Sequence, residues 1–149
     1  MVGMRELATH IIAVANESGK KITNLQLQKI MFFIFGKMVK NSGDDAFIES
    51  LYNYKFRRWS YGPVVEEIYF DYNNFGGRPI NEEEATKTNI FTEYDSDIEK
   101  LLSVNPFKMV EITHSLPSWA DYKDDIEARN YVPPYDINDF IREFRRDGR

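Results

Sequence analysis

The stretch KITNLQLQKIMFFIFGKMVKN, residues 21–41, constrains the fold more than any other. Thr23 and Gln26 are spaced as a capping box, in which each side chain satisfies a backbone donor at the other's position. A helix therefore starts near Asn24. From Ile30 to Phe35 that helix is apolar on every side. A helix without a polar face has to be covered by neighbours in several directions. The chain must supply those neighbours, and its 149 residues suffice for one compact domain. A domain of that size buries roughly two thirds of its unfolded surface.

Covering helices are legible on both sides. Met4, Leu7, Ala8, Ile11, Val14 and Ala15 fall on one stripe, so a first helix is expected from Met4 to Ser18, ended by Gly19. Asn41-Ser42-Gly43-Asp44 reads as a turn. Tyr52, Tyr54 and Phe56 alternate with Asn53, Lys55 and Arg57, which predicts a short strand or hairpin near 51–58. Pro63 suits the first position of a helix, with Gly62 as its cap and Glu66 and Glu67 near its positive end. Val64, Val65, Ile68, Tyr72 and Phe75 would be its buried stripe, and Gly76-Gly77-Arg78-Pro79 its end.

Residues 80–92 are polar and read as a short helix or a loop. Ser96 with Glu99 forms a second capping box, before Ile98, Leu101 and Leu102. Asn105-Pro106 restarts a helix that Pro117 closes. In the last helix, 136–146, Ile137, Phe140, Ile141 and Phe144 form the apolar stripe. Asp136 caps it, and Arg142, Arg145 and Arg146 suit its negative end. The fold class is mainly α, α+β at most: one compact helical domain, 1–149, around a buried central helix.

Composition narrows the chemistry. The chain has no cysteine, which removes disulfides, thiolate metal sites and cysteine nucleophiles, and suits a reducing cytoplasm. Its N-terminal stretch has the periodicity of a helix rather than of a signal peptide, and the run Ile30–Phe35 is too short to span a bilayer. Residues 1–60 carry nine Lys/Arg and five Asp/Glu, a balance of +4; residues 61–149 carry ten and nineteen, a balance of −9. The acidic part repels a phosphate backbone. The central helix is also too apolar to read base edges, so nucleic acid is a poor partner. Neither His10 nor His114 belongs to a metal-binding spacing, and there is no phosphate-binding glycine motif. His114 beside Ser115, with Asp121 nearby, does not make a triad, because adjacent helical residues diverge. We expect no catalytic residues, no metal and no cofactor.

Two patches stand out. In FRRWSYGPVVEE, the residues Tyr54, Phe56, Arg57, Arg58, Trp59 and Tyr61 are expected to build a partly exposed partner surface. Trp, Tyr and Arg dominate binding energy at interfaces. In VEITHSLPSW, His114 and Trp119 are expected to lock over the central helix.

Three segments in order carry a resemblance: Thr23-Asn24-Leu25-Gln26-Leu27-Gln28-Lys29-Ile30, Trp59-Ser60-Tyr61-Gly62-Pro63-Val64, and Thr113-His114 with Trp119. Together they resemble the Panacea domain of SocA-like antitoxins and phage-associated proteins, over about residues 4–120. The resemblance implies that Leu25, Gln28, Lys29, Gly62, Pro63, Val64, Thr113, His114 and Trp119 are structural motif residues. It further implies a cytoplasmic antitoxin that neutralises a cognate protein toxin by binding it, or that hands the toxin to a AAA+ protease. A phage or prophage DNA-binding regulator is the alternative. Residues 47–58 and the segment with Pro133-Pro134 depart from the family pattern and suit additions specific to a partner.

Overall fold

The computed structural model describes residues 1–145. Nine α-helices and one β-hairpin make up the regular structure of that stretch, with 3₁₀ turns at Asn73–Phe75 and Asn89–Tyr94. Helix α1 spans Met4–Glu17 and α2 spans Asn24–Asn41. Gly19, at φ +66°, ends the first by entering the left-handed region. The capping box of α2 is formed: the Gln26 N–H donates to Thr23 Oγ1 at 3.2 Å, and the Thr23 N–H donates to Gln26 Oε1 at 2.9 Å.

Helix α2 is the buried axis of the fold. Ile30, Met31, Phe32, Ile34 and Phe35 are at most 1% exposed; only Phe33 of the apolar run reaches the surface. A short helix α3, Asp45–Leu51, follows, capped by Asp44. The apolar spacing does not reveal it, because only Ile48 and Leu51 point inward.

Strand β1, Phe56–Trp59, pairs antiparallel with β2, Gly62–Val65, in the register Phe56↔Val65 to Trp59↔Gly62. A hairpin is present, but it starts at Phe56 and not near 51: Leu51 ends α3, and Tyr52 and Tyr54 lie outside any strand. Two further expectations are corrected. Gly62 and Pro63 belong to a strand, and helix α4 begins only at Glu66, running to Tyr72. The physical reason is tertiary: side chains of α2 satisfy the outer backbone groups of β2, as described below. Helices α5, Asp95–Leu102, and α6, Pro106–Ser115, come next. Asn105 caps α6 as expected. Ser96 does not cap α5, which already includes Asp95; Glu99 instead accepts from Ser18 Oγ at 2.8 Å. Two short helices, α7 (Pro117–Ala120) and α8 (Lys123–Glu127), lead to α9, Ile137–Phe144. Asp136 caps α9, accepting from the Asp139 N–H at 3.0 Å. Arg146, assigned from sequence to the end of that helix, lies outside the described residues.

The densest part of the core is aromatic. Phe32, Phe35, Tyr52, Phe56, Tyr135 and Phe140 pack as a cluster with ring centroids 4.9–6.4 Å apart. Each such side chain contributes about 1.5–3 kcal/mol by burial. The cluster fastens α9 to α2 and to the first residue of the hairpin. Among the described residues, no helix is long and apolar enough to cross a membrane.

Candidate partner-binding site

Strand alternation sorts the expected partner residues into two sets. Phe56 and Arg58 point inward and are buried, whereas Arg57 and Trp59 share the outer face. Phe56 and Arg58 therefore do not belong to an exposed patch, which corrects the expectation for both. Phe56 joins the aromatic core. Arg58 donates to the Ser118 carbonyl at 2.6 Å, the Pro133 carbonyl at 2.6 Å and Asp139 Oδ2 at 3.0 Å. Its guanidinium lies between the rings of Tyr122 and Tyr135, 4.1 and 4.3 Å from their centroids. A buried charge is tolerable when it is paired and hydrogen-bonded, as here at each of the three guanidinium nitrogens. Tyr54 is half-buried, and its contacts are with α1: its hydroxyl accepts from Arg5 Nη1 at 2.9 Å. Trp59 and Tyr61 do come together at the hairpin tip, and Tyr61 is 64% exposed.

The three sequence motifs converge on that tip from opposite sides. From α2, Gln28 Oε1 accepts the Val65 N–H at 2.9 Å, and Lys29 Nζ donates to the Pro63 carbonyl at 2.8 Å. From α6 and α7, the His114 Nε2–H donates to the Ser60 carbonyl at 2.8 Å, and Trp119 Nε1–H donates to the Trp59 carbonyl at 2.9 Å. The His114 and Trp119 rings stack 3.8 Å apart. They lock the hairpin through its turn carbonyls. Ser115 donates instead to the Ile112 carbonyl, so His114 and Ser115 form no dyad. Gly62, at φ +98°, lets the turn press against Thr113 and Lys29: a Cβ there would stand 2.6 Å from Thr113 Oγ1. Burial lowers the pKa of the Lys29 ammonium to about 7.

A groove of about 460 Å³ opens beside the clamped tip, walled by Leu25, Trp59, Tyr61, Val64, Tyr69 and Phe107. Trp59 meets Tyr69 edge-on at 5.0 Å and donates to Glu66 at 3.3 Å, which fixes its ring. Phe107 is 61% exposed, and Phe70, next to Tyr69, is 60% exposed. Sequence reasoning missed Tyr69 and Phe107 as wall residues. The signal was available for Phe107, which stands off the Met109, Val110 and Thr113 stripe that α6 buries.

A second polar cluster was also missed. His10 is fully buried; its Nδ1 accepts the Thr88 N–H at 2.9 Å, so Nε2 carries the proton and donates to Asp95 at 2.7 Å. Lys87 closes on Asp95 at 2.6 Å. Burial pushes the Asp95 carboxyl up, but hydrogen bonds from Lys87 and His10 outweigh this and hold it below the usual range. Both imidazole nitrogens are occupied, so the cluster braces residues 87–95 and has no proton-transfer position free. Among the described residues, no group of three or more imidazoles and carboxylates is placed to hold a metal.

The architecture is that of a mainly α domain organised around one buried helix and a small clamped hairpin. The family model described as antitoxin SocA-like, Panacea domain, matches residues 27–120, more than half of the chain. The chain belongs to this family. No curated protein and no solved structure matches it.

Proposed function

We propose that this protein is an antitoxin that neutralises a cognate toxin by direct protein–protein binding, through the hairpin tip and the aromatic groove beside it. The observation that carries the reading is the groove itself: the residues of the family motifs hold the tip rigid from beneath, while Tyr61 and Phe107 stay exposed. A rigid aromatic anchor loses little conformational entropy on binding, so its contact energy goes into affinity. Arg57, on the outer face with Trp59, adds a cation to the same surface. The role is one of binding, with no reaction assigned to it.

The test is co-expression with the product of the adjacent reading frame. Growth should be rescued and a complex should co-purify. Tyr61→Ala with Phe107→Ala should weaken the complex by about 2–4 kcal/mol, as expected for interface anchors, and leave the fold intact. Absence of both rescue and complex would defeat the proposal.

A further inference from the structure

A second groove lies away from the hairpin, on the C-terminal half of α2. Phe33, Lys37 and Lys40 follow one another at i, i+4 and i+7 along α2, and Asp97, Lys100 and Leu101 face them from α5. Phe144 of α9 joins the wall, and the cavity measures about 380 Å³. Its position is distinct from the hairpin groove: Lys37 is twelve residues beyond Leu25, roughly 18 Å along the helix axis.

The groove departs from the rest of the molecule in two ways. Its floor includes Phe33, the one residue of the central apolar run that is not buried. Its rim is cationic, although the whole chain carries −5. Lys37 is neutralised by Asp97 at 2.9 Å. Among the described residues, Lys40 and Lys100 form no salt bridge, and both are exposed. They stand on different helices, one on each wall.

We propose that this α2–α5 groove is a second protein-docking surface, and that its occupant is an acidic amphipathic helix of a partner. A trough between two packed helices suits a third helix, whose apolar side chains at i, i+4 and i+7 enter the floor. Carboxylates flanking that stripe meet Lys40 on one side and Lys100 on the other, so charge complementarity sets both register and choice of partner. The surface is separate from the toxin-binding reading at the hairpin, and the two can be occupied together.

The probe is a synthetic amphipathic helix with leucines at i, i+4 and i+7 flanked by glutamates, compared with a twin flanked by lysines, each titrated into the ¹⁵N-labelled full chain. Amide shifts should move at Phe33, Lys37, Lys40, Lys100 and Leu101 with the glutamate peptide only. Lys40→Glu with Lys100→Glu should weaken binding about tenfold or more, and added salt should weaken it too. Tyr61→Ala should leave this titration unchanged, which separates it from the hairpin site. Equal binding of the two peptides, shifts at the hairpin groove, or perturbation of the same amides by phosphatidylglycerol vesicles but not by the glutamate peptide would each overturn the proposal. Both lysines are exposed, so an unchanged melting temperature confirms that the double variant is folded.

Discussion

Lys29 Nζ reaches the carbonyl of Pro63 at 2.8 Å across the buried interface between α2 and the hairpin, beside the bond from the Val65 N–H to Gln28. Burial lowers its pKa to about 7, while a lysine in the unfolded chain titrates near 10.4. Between these values the unfolded chain holds a proton that the folded chain lacks. Unfolding then takes up a proton, so stability rises with pH across roughly pH 7–10, by at most about 1.4 kcal/mol per unit. Below pH 7 this contribution stays at its minimum. Above about pH 10 the trend reverses, because burial raises Tyr52, Tyr72 and Tyr135 above the ordinary tyrosine value. Urea unfolding at pH 7, 8 and 9 should show the rise, and Lys29→Met should flatten it. The same slope in that variant would refute the assignment.

The stacked His114 and Trp119 rings each hold a carbonyl of the hairpin turn. His114→Gln should cost about 1–2 kcal/mol, one hydrogen bond plus part of the stacking energy. Trp119→Ala should cost about 3–5 kcal/mol, since a large buried ring is lost as well. Thermal denaturation separates the two. A His114→Gln variant of unchanged stability that no longer binds its partner would show that His114 acts at the interface instead.

Gly62 combines a left-handed backbone with a close approach, and the two can be separated. Gly62→Ala should destabilise by about 2–4 kcal/mol, from strain at φ +98° and from contact with Thr113. In a Thr113→Ala background the contact is relieved and the backbone strain remains, so the penalty for Gly62→Ala should shrink without vanishing. A double-mutant cycle reads the difference. A penalty unchanged by Thr113→Ala would assign the whole cost to the backbone.

His10 ties α1 to the Thr88 amide and to Asp95. His10→Leu removes both bonds and leaves the half-buried Thr88 N–H without its acceptor, at a cost of about 1–3 kcal/mol. Hydrogen exchange at Thr88 should accelerate far more than exchange in α2. Unchanged protection at Thr88 would contradict the bracing role.

Local signals carried the helices well, because their determinants lie within a few residues of one another. Thr23 with Gln26, Asn105 with Phe107, and Asp136 with Asp139 each cap within three positions. The apolar stripes of α1 and α9 are likewise intrinsic to those segments. The hairpin shows where local reading fails. Gly62-Pro63-Val64 has the chemistry of a helix start, but Gln28 and Lys29, more than thirty residues earlier, supply the hydrogen bonds that keep it extended. Trp59 and Tyr61, singled out by chemical type, both line the groove beside the hairpin tip. The burial of Phe56 and Arg58 was not, because alternation shows that two faces exist without showing which is covered. His10 was invisible for the same reason: its acceptor, Asp95, is 85 residues away.

Arg58 lies within the stretch matched by the family model, but much of what holds it does not. Pro133, Asp139, Tyr122 and Tyr135 all come after residue 120, the last position matched. A version trimmed at that position would strip Arg58 of its carboxylate and of both flanking rings, and would strip the rings of Tyr135 and Phe140 from Phe32. For this polypeptide, the stretch by which its family is recognised is shorter than the stretch that packs around Arg58 and Phe32.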